Sequence, residues 1–346
     1  MREVIKDLQR WREEGEQIAL ATVIATWGSA PRKVGAKMAL TPSGKISGSV
    51  SGGCVEGAVY ESGVETLKTG QAQLLDFGVA DETAWDVGLA CGGQIKVFVE
   101  PISEAGLVRL QRWLEAEESA AIITVVGGQD ALIGQKVYVA PDGEQYGTIE
   151  GLGAEKIATL AQQALETGGP MRRTLPAPQG ELELFVDALL PSPTLLIVGG
   201  AHIAIALASI ARTVGYRTIL VDPRRAFGSA ERFPHVDRLI QAWPDEALKD
   251  LTITHNTAVA TLTHDPKIDD PALIGVLSGP AFYVGALGST STHERRRNRL
   301  LEAGVAPDLI DRIHAPIGLD INSQTPEEIA VAIMAESIAA RRGARK

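Results

Sequence analysis

Both cysteines of the chain, Cys54 and Cys91, lie in glycine-rich loops. Residues 55–67 follow the first loop with the spacing of an amphipathic helix, which predicts that Cys54 lies at a strand-to-helix turn. Backbone N–H groups at such a turn favour an anion, and their partial positive charge favours an ionised thiol. We therefore predict one site in which backbone and sulfur face a negatively charged ligand. The residues assigned to it are Ser51, Gly52, Gly53, Cys54, Cys91, Gly92 and Gly93.

Two cations precede the first of these loops. Arg32 and Lys33 follow a predicted strand, residues 18–26, and are expected to offset the charge of the anion. A simpler reading of Cys54 is a small buried hydrophobic residue, with the neighbouring glycines serving only the turn.

A second group of candidate residues belongs to a nucleotide-binding type of fold. Residues 195–198 form a buried-strand pattern that runs into Gly199 and then a helix, the context of a dinucleotide fingerprint. Asp222 ends the next predicted strand about 20 positions later, where an acidic residue could hold a ribose hydroxyl. Only the first glycine of the fingerprint is present, and Ala201 adds a methyl group where backbone should contact pyrophosphate. The candidates at this edge are Gly199, Gly200, Ala201, His202, Asp222, Arg224, His264, Gly288 and Ser289.

These residues imply an α/β protein with two domains. From Thr194, apolar strands alternate with helices, which predicts a Rossmann-like, doubly wound parallel sheet in residues 191–346. Residues 1–190 predict an α+β domain whose middle part carries no candidate chemistry and packs on the first part. Linker-like proline stretches occur at 176–178 and 191–193, and the second is the better boundary. The arginines between 295 and 299 are predicted on the solvated face of a helix.

Composition excludes several classes of function. The net charge of −10 argues against nucleic-acid binding, and 5% aromatic residues leave little for base stacking. No apolar run approaches a membrane span, and the N-terminus lacks an apolar signal region. Two cysteines and histidines without H-x-x-x-H spacing indicate neither a disulfide framework nor a structural zinc site. A cytoplasmic location, with both thiols reduced, is expected.

The motifs together resemble the XdhC/CoxI family, accessory proteins that mature xanthine dehydrogenase and CO dehydrogenase. The likeness is carried in the first domain by residues 28–31, 51–57 and 91–93, and in the second by residues 199–204, 222–224, 263–265, 285–289, 315–321 and 325–330. The resemblance implies a chaperone that binds molybdenum cofactor (molybdopterin) and protects it during sulfuration. It also implies partners: a cysteine desulfurase, an apo molybdenum hydroxylase and a second copy in a homodimer. Cys54 would then contact molybdenum or the transferred sulfur, with Cys91 beside it.

Two other functions are compatible with the same residues. An NAD(P)-dependent oxidoreductase would use the Rossmann-like domain, with His202 or His264 as proton donor. A redox or nucleotide sensor would instead join Cys54 and Cys91 in a reversible disulfide.

Overall fold

A computed structural model of the chain describes residues 1–78, 93–178 and 180–343. The chain divides into two compact units, Met1–Pro191 and Ser192–Lys346. The strands of the first unit are antiparallel and those of the second are parallel, with helices in both units. The predicted fold class is confirmed. No helix within the described residues is long and apolar enough to cross a membrane.

The first unit opens with a helix and an antiparallel sheet. Its elements are α1 (Ile5–Glu13), β1 (Ala19–Trp27), β2 (Lys37–Leu40), β3 (Ile46–Gly48), α2 (Glu56–Thr69), β4 (Gln73–Phe77) and β5 (Gln94–Pro101). The sheet order is β3-β2-β1-β5-β4. Helix α2 lies close to this sheet because Gly63 has no side chain: a Cβ there would lie 2.5 Å from a methyl carbon of Leu40. The sheet therefore fixes the helix that follows Cys54.

The second half of this unit repeats the same topology. Its elements are α3 (Glu104–Glu115), β6 (Ala120–Gly127), β7 (Lys136–Val139), β8 (Gln145–Gly147), α4 (Ala154–Thr167), β9 (Met171–Ala177) and β10 (Gly180–Leu189). The sheet order, β8-β7-β6-β10-β9, matches that of the first half strand for strand. The unit is an internal duplication, here called the first repeat (residues 1–101) and the second repeat (residues 102–191).

Individual residues correspond between the two repeats. Gly35 and Gly134 have nearly equal positive φ angles, 89° and 90°. The N–H of Gly35 donates to the Val23 carbonyl at 2.8 Å, and that of Gly134 donates to the Val125 carbonyl at 2.9 Å. A lysine stands two residues after each glycine. The ends of the two loops that connect the first and second strands of the repeats are therefore held in the same way.

Apolar packing and two crossed ion pairs join the repeats. Ile24 and Phe98 of the first repeat form a cluster with Val126 and Phe185 of the second. Lys37 of the first repeat contacts Asp187 of the second at 2.7 Å. Lys136 of the second contacts Glu100 of the first at 2.6 Å. Because the loss of one partner would leave a largely buried charge alone, these pairs hold the repeats in one relative position.

The structure corrects the predicted linker at residues 176–178. Pro176 and Ala177 belong to β9 and pair with β10, so this stretch lies in a hairpin. The middle region also contains two strands that the sequence does not predict, β8 and β9. Neither has a continuous apolar run, and every position of β9 is partly or fully exposed. Its core nevertheless packs with that of the first repeat.

The second unit is a parallel sheet covered by helices. Its elements are β11 (Thr194–Val198), α5 (His202–Thr213), β12 (Arg217–Val221), β13 (Arg238–Ile240), α6 (Pro244–Ala247), β14 (Thr257–Thr261), α7 (Pro266–Leu277), β15 (Tyr283–Ala286), α8 (Thr290–Glu302), α9 (Pro307–Ile310), β16 (Ile313–His314) and α10 (Pro326–Arg341). The order is β13-β12-β11-β14-β15-β16, so the strand order reverses between β11 and β14. Ligands of such sheets bind at the carboxyl edge beside this point.

One side chain of the second unit is placed differently from its prediction. The sequence predicts Arg296 of α8 on the solvated face, but this residue is 1% exposed. Its guanidinium donates to the Leu287 carbonyl at 2.7 Å and lies 3.9 Å from the carboxylate of Asp269. The helix therefore turns one arginine of its polar run into the core.

Gly48→Ala tests whether the end of β3 must be glycine. Gly48 has a φ of 76°, and a Cβ there would lie 2.3 Å from the Lys37 carbonyl oxygen. Gly44 has a φ of 93° but open space around the same position, so Gly44→Ala is a matched control for backbone strain. We predict that Gly48→Ala lowers the free energy of unfolding by at least about 2 kcal/mol more than Gly44→Ala. Urea unfolding of both variants measures this, and equal losses would contradict the steric argument.

Candidate functional site

Cys54 lies in the turn formed by residues 49–55, between the end of β3 and the start of α2. Its side chain is exposed, so the reading of Cys54 as a buried hydrophobic residue is wrong. The hydroxyl of Ser51, which is buried, accepts the N–H groups of Cys54 and Val55, each at 3.0 Å. Ser51 therefore holds the backbone on both sides of the Cys54 Cα atom.

A carboxylate of the chain itself fills the amide cluster of this turn. Glu56, the first residue of α2, accepts the N–H groups of Ser51, Gly52 and Gly53 at 2.9, 3.0 and 2.8 Å. The hydroxyl of Ser49 donates to it at 2.6 Å, and that of Ser51 donates as well. The prediction that these backbone amides face a negatively charged ligand is wrong, since a carboxylate of the chain itself occupies them.

The same contacts explain the acidity of Glu56. Burial alone would raise the pKa of its carboxyl group, but the hydroxyls of Ser49 and Ser51 and the backbone amides lower that pKa to about 2. Gly52 and Gly53 make the arrangement possible, because φ angles of 83° and 122° turn their N–H groups toward one point. The result is a turn held by an ionised carboxylate, with the thiol outside.

One neighbouring loop contacts this turn, and a second loop contacts the first. The Arg32 guanidinium donates to the Ser49 carbonyl at 3.2 Å and forms an ion pair with Glu3 at 2.7 Å. Lys33 is exposed. A Cβ on Gly93 would lie 2.9 Å from the backbone of residues 29–30, so the last residue of the Cys91 loop touches the loop that carries Arg32. Cys91 and Gly92 lie outside the described residues. The structure thus brings together residues 29–32, residues 49–54 and Gly93.

The remaining candidates lie at the carboxyl edge of the parallel sheet in the second unit. Gly199 has a φ of 102° and contacts Thr263: a Cβ there would lie 2.2 Å from the threonine methyl carbon. His202 is exposed at the first position of α5, and His264 is exposed with a φ of 61°. Gly288 has a φ of 134°, and Ser289 caps α8 by accepting the N–H of Thr292. The two candidate groups therefore belong to different units.

Asp222 is already bound to its own chain. Its carboxylate is fully buried and accepts the Gly200 N–H at 2.7 Å and the Arg224 guanidinium at 2.7 and 2.9 Å. Burial would raise the pKa of Asp222, but the bonds from Arg224 and Gly200 hold it below its ordinary value. The oxygens that would receive a ribose hydroxyl are engaged by these donors.

The turn after β11 is also covered. A Cβ on Gly200 would lie 2.3 Å from the Phe227 carbonyl oxygen, and Arg232 donates to the Gly200 carbonyl at 2.9 Å. Residues 224–233 thus lie over the backbone that would contact pyrophosphate in a dinucleotide complex. With Ala201 at the next position, these residues do not fit a nicotinamide dinucleotide in its usual pose.

The predicted site lacked three residues that the structure shows to matter: Glu56, Phe227 and Arg232. Glu56 could have been found, because a carboxylate in the first turn of a helix after a Gly-Gly pair is placed to accept the turn's amides. Phe227 and Arg232 belong to the loop that covers the turn after β11. A loop has no hydrophobic periodicity, so the sequence does not predict which backbone it covers. Within residues 1–78, 93–178 and 180–343, no group of three or more His, Cys, Asp or Glu side chains could hold a metal ion.

Comparison with models of known protein families identifies the family of this chain. The model described as "XdhC and CoxI family" matches residues 11–78 and 113–175, one stretch in each repeat. The model described as "XdhC Rossmann domain" matches residues 195–337. The chain belongs to the XdhC/CoxI family. The resemblance predicted from its motifs is confirmed.

Individual relatives of this XdhC/CoxI protein match along most of its length. It is 28% identical to a Bacillus subtilis protein named as a probable xanthine dehydrogenase subunit, over 95% of both chains. It is 27% identical to an Escherichia coli protein named molybdenum cofactor insertion chaperone PaoD, over 94% of this chain and 84% of the relative. A crystal structure from Bacillus halodurans, described as a xanthine dehydrogenase, matches with a TM-score of 0.79 at 25% identity, over 99% of this chain and 96% of the other.

Glu56→Gln should loosen the Cys54 turn in a pH-dependent way. A carboxyl group with a lowered pKa stabilises the fold above its unfolded pKa, near the ordinary value of 4.5, and loses this effect as the pH falls toward about 2. We predict that the variant lowers the free energy of unfolding by about 1–2 kcal/mol at pH 7 and that the difference shrinks below pH about 4. Urea unfolding at several pH values measures it, with Glu61→Gln, an exposed position of α2, as the control. A constant difference across this range would contradict the role of the ionised carboxylate.

Nicotinamide dinucleotides should bind weakly. Because Asp222 is engaged and residues 224–233 cover the turn, we predict dissociation constants above about 1 mM for NAD⁺ and NADP⁺ by calorimetry on the full chain. A micromolar constant for either nucleotide would show that this loop opens and would restore the oxidoreductase reading.

Proposed function

We propose that this protein is a molybdenum-cofactor chaperone, which binds the pterin-borne metal centre and inserts it into an apo molybdenum hydroxylase. Membership of the XdhC/CoxI family and the named role of the Escherichia coli relative support this proposal. The Bacillus subtilis relative, named for xanthine dehydrogenase, supports the same class of client.

The observation that carries the proposal is an exposed thiol on a turn that its own carboxylate holds in place. A thiolate is a soft ligand and suits molybdenum or a sulfur atom bound to it. Since the hydroxyl of Ser51 and the carboxylate of Glu56 fix the backbone, Cys54 can meet the metal end of the cofactor with little loss of conformational freedom. Exposure makes the thiol accessible to a ligand that arrives and leaves.

The charge around Cys54 limits how the cofactor can bind. Glu56 occupies the amides of residues 51–53, so these amides are not the place for the cofactor's phosphate. The cations of the neighbouring loop are the exposed Lys33 and Arg32, whose guanidinium also pairs with Glu3. We assign the thiol of Cys54 to the metal end and these two side chains to the negatively charged groups.

The finer steps belong to the same proposal. The chaperone would protect the cofactor while a cysteine desulfurase supplies the sulfur, with Cys91 as a second thiol. A homodimer and a cytoplasmic location remain predictions of the sequence.

Cofactor binding by cysteine variants tests the proposal. We predict that Cys54→Ser lowers the affinity for purified molybdenum cofactor by at least about tenfold, because a hydroxyl is a poor ligand for a soft metal centre. Retained cofactor, measured by fluorescence of its oxidised pterin, and activation of an apo-hydroxylase are the two readouts. Thr148→Ala, in the corresponding turn of the second repeat, is the control and should leave both unchanged. Wild-type binding and activation by both Cys54→Ser and Cys91→Ser would contradict the thiol role.

A further inference from the structure

The two crossed ion pairs of the first unit differ in their surroundings. Lys37 and Asp187 are sealed, with side chains 4% and 13% exposed. Lys136 and Glu100, the same pair in the other half of the duplication, have side chains 19% and 11% exposed and line an open cleft of about 750 Å³. The cleft has the size of a small-molecule site.

The N-terminal residues cover the ion pair between Lys37 and Asp187. The Glu3 carboxylate accepts the backbone N–H of Lys37 at 3.3 Å, and the Arg2 guanidinium donates to the Leu190 carbonyl at 2.8 Å. At the other pair the cleft lies between the turn after α2 of the first repeat (residues 70–72) and the β6–β7 loop of the second repeat (residues 130–134). If the pairs served only to join the repeats, both would be expected to be sealed alike.

The open pair presents a donor and an acceptor side by side. Burial alone would lower the pKa of Lys136, but the neighbouring Glu100 carboxylate raises it above its ordinary value, so the ammonium stays charged. Since the two charges already neutralise each other, adding an ion would leave one charge uncompensated. A neutral group with an N–H next to a C=O can bind the carboxylate through the first and the ammonium through the second.

The walls of the cleft suit a flat ligand. Ile133, Ala131 and Pro101 give apolar surface, and Tyr138 lies at the floor with 7% of its surface exposed. Gln71, Ser103 and Asp130 add polar groups to the lining around Lys136 and Glu100. A ring system with apolar faces and polar edges can contact both kinds of surface.

We propose that this cleft binds a planar heterocycle with a lactam edge, the N–H and C=O arrangement shared by pterins and oxopurines. The site is separate from the Cys54 turn. The two lie at opposite ends of the 14-residue helix α2, which is about 21 Å long. One molecule held at Cys54 therefore does not occupy both, and binding at the cleft can be measured without molybdenum cofactor.

Calorimetry on the full chain with three probes tests the ligand class. Hypoxanthine and pterin both carry the lactam edge, whereas 1-methylhypoxanthine has a methyl group in place of the lactam hydrogen. We expect dissociation constants below about 1 mM for hypoxanthine, pterin or both, and at least about tenfold weaker binding of 1-methylhypoxanthine. Binding of pterin alone would assign the site to pterins, and binding of both to lactams in general. Binding of 1-methylhypoxanthine as tight as that of hypoxanthine and pterin, or no binding by any probe, would overturn the proposal.

The duplication supplies a matched pair of variants. Lys136→Met with Glu100→Leu removes the open ion pair, and Lys37→Met with Asp187→Leu removes the sealed one by the same change. Because both partners leave together, neither variant leaves one member of its pair as a lone buried charge. We expect at least about tenfold loss of lactam binding in the first and less than about twofold change in the second. Equal binding by the two variants would overturn the proposal.

A variant that fills the cleft keeps the test decisive if a double variant does not fold. Ala131→Trp adds a large side chain at an exposed position of the cleft wall. It should abolish lactam binding while the thermal unfolding temperature stays close to that of the wild-type protein. Unchanged binding in Ala131→Trp would also overturn the proposal.

Discussion

The site of this protein depends on the bond between the Glu56 carboxylate and the amides of its own turn. A helix N-terminus preceded by glycines would otherwise attract an external anion. Here the chain supplies the anion, and the hydroxyls of Ser49 and Ser51 complete its coordination. The turn is therefore ordered before any ligand arrives. What remains for the ligand is the thiol of Cys54, exposed beside the cations of the neighbouring loop.

The duplication separates the scaffold from the chemistry. Both repeats keep the strand order, the lysine that begins the second strand and the glycine that ends the third strand, where a Cβ on Gly48 or Gly147 would lie 2.3 Å from a lysine carbonyl oxygen. In the second repeat the turn keeps a glycine with positive φ, Gly151, but has Glu150 in the place of Ser51 and no cysteine. The features that the two repeats share stabilise the sheets. The residues that differ lie in the turn, and they determine what the turn of each repeat can bind.

The sequence predicted the parallel sheet well because its strands are buried on both faces and read as apolar runs, such as Leu195–Val198. It did not predict β13 and β16, which have three and two residues and too little pattern to detect. The repeat was also missed, although glycines recur 99 positions apart in Gly35 and Gly134, Gly44 and Gly143, and Gly48 and Gly147. Few of the apolar side chains between these glycines are identical, so the hydrophobic pattern does not reveal the repeat. At the site, residue types located the turn, but the partner of its amides is set by φ angles and distances that the sequence does not contain.

The reading of Cys54 as the contact for the cofactor's metal end can be tested on the unmodified chain. Alkylation of Cys54 by iodoacetamide, followed by peptide mass spectrometry, reports directly whether that thiol is covered when purified molybdenum cofactor is bound. We predict that saturating cofactor lowers the rate of Cys54 alkylation by at least about tenfold. An unchanged rate at full cofactor occupancy would contradict it.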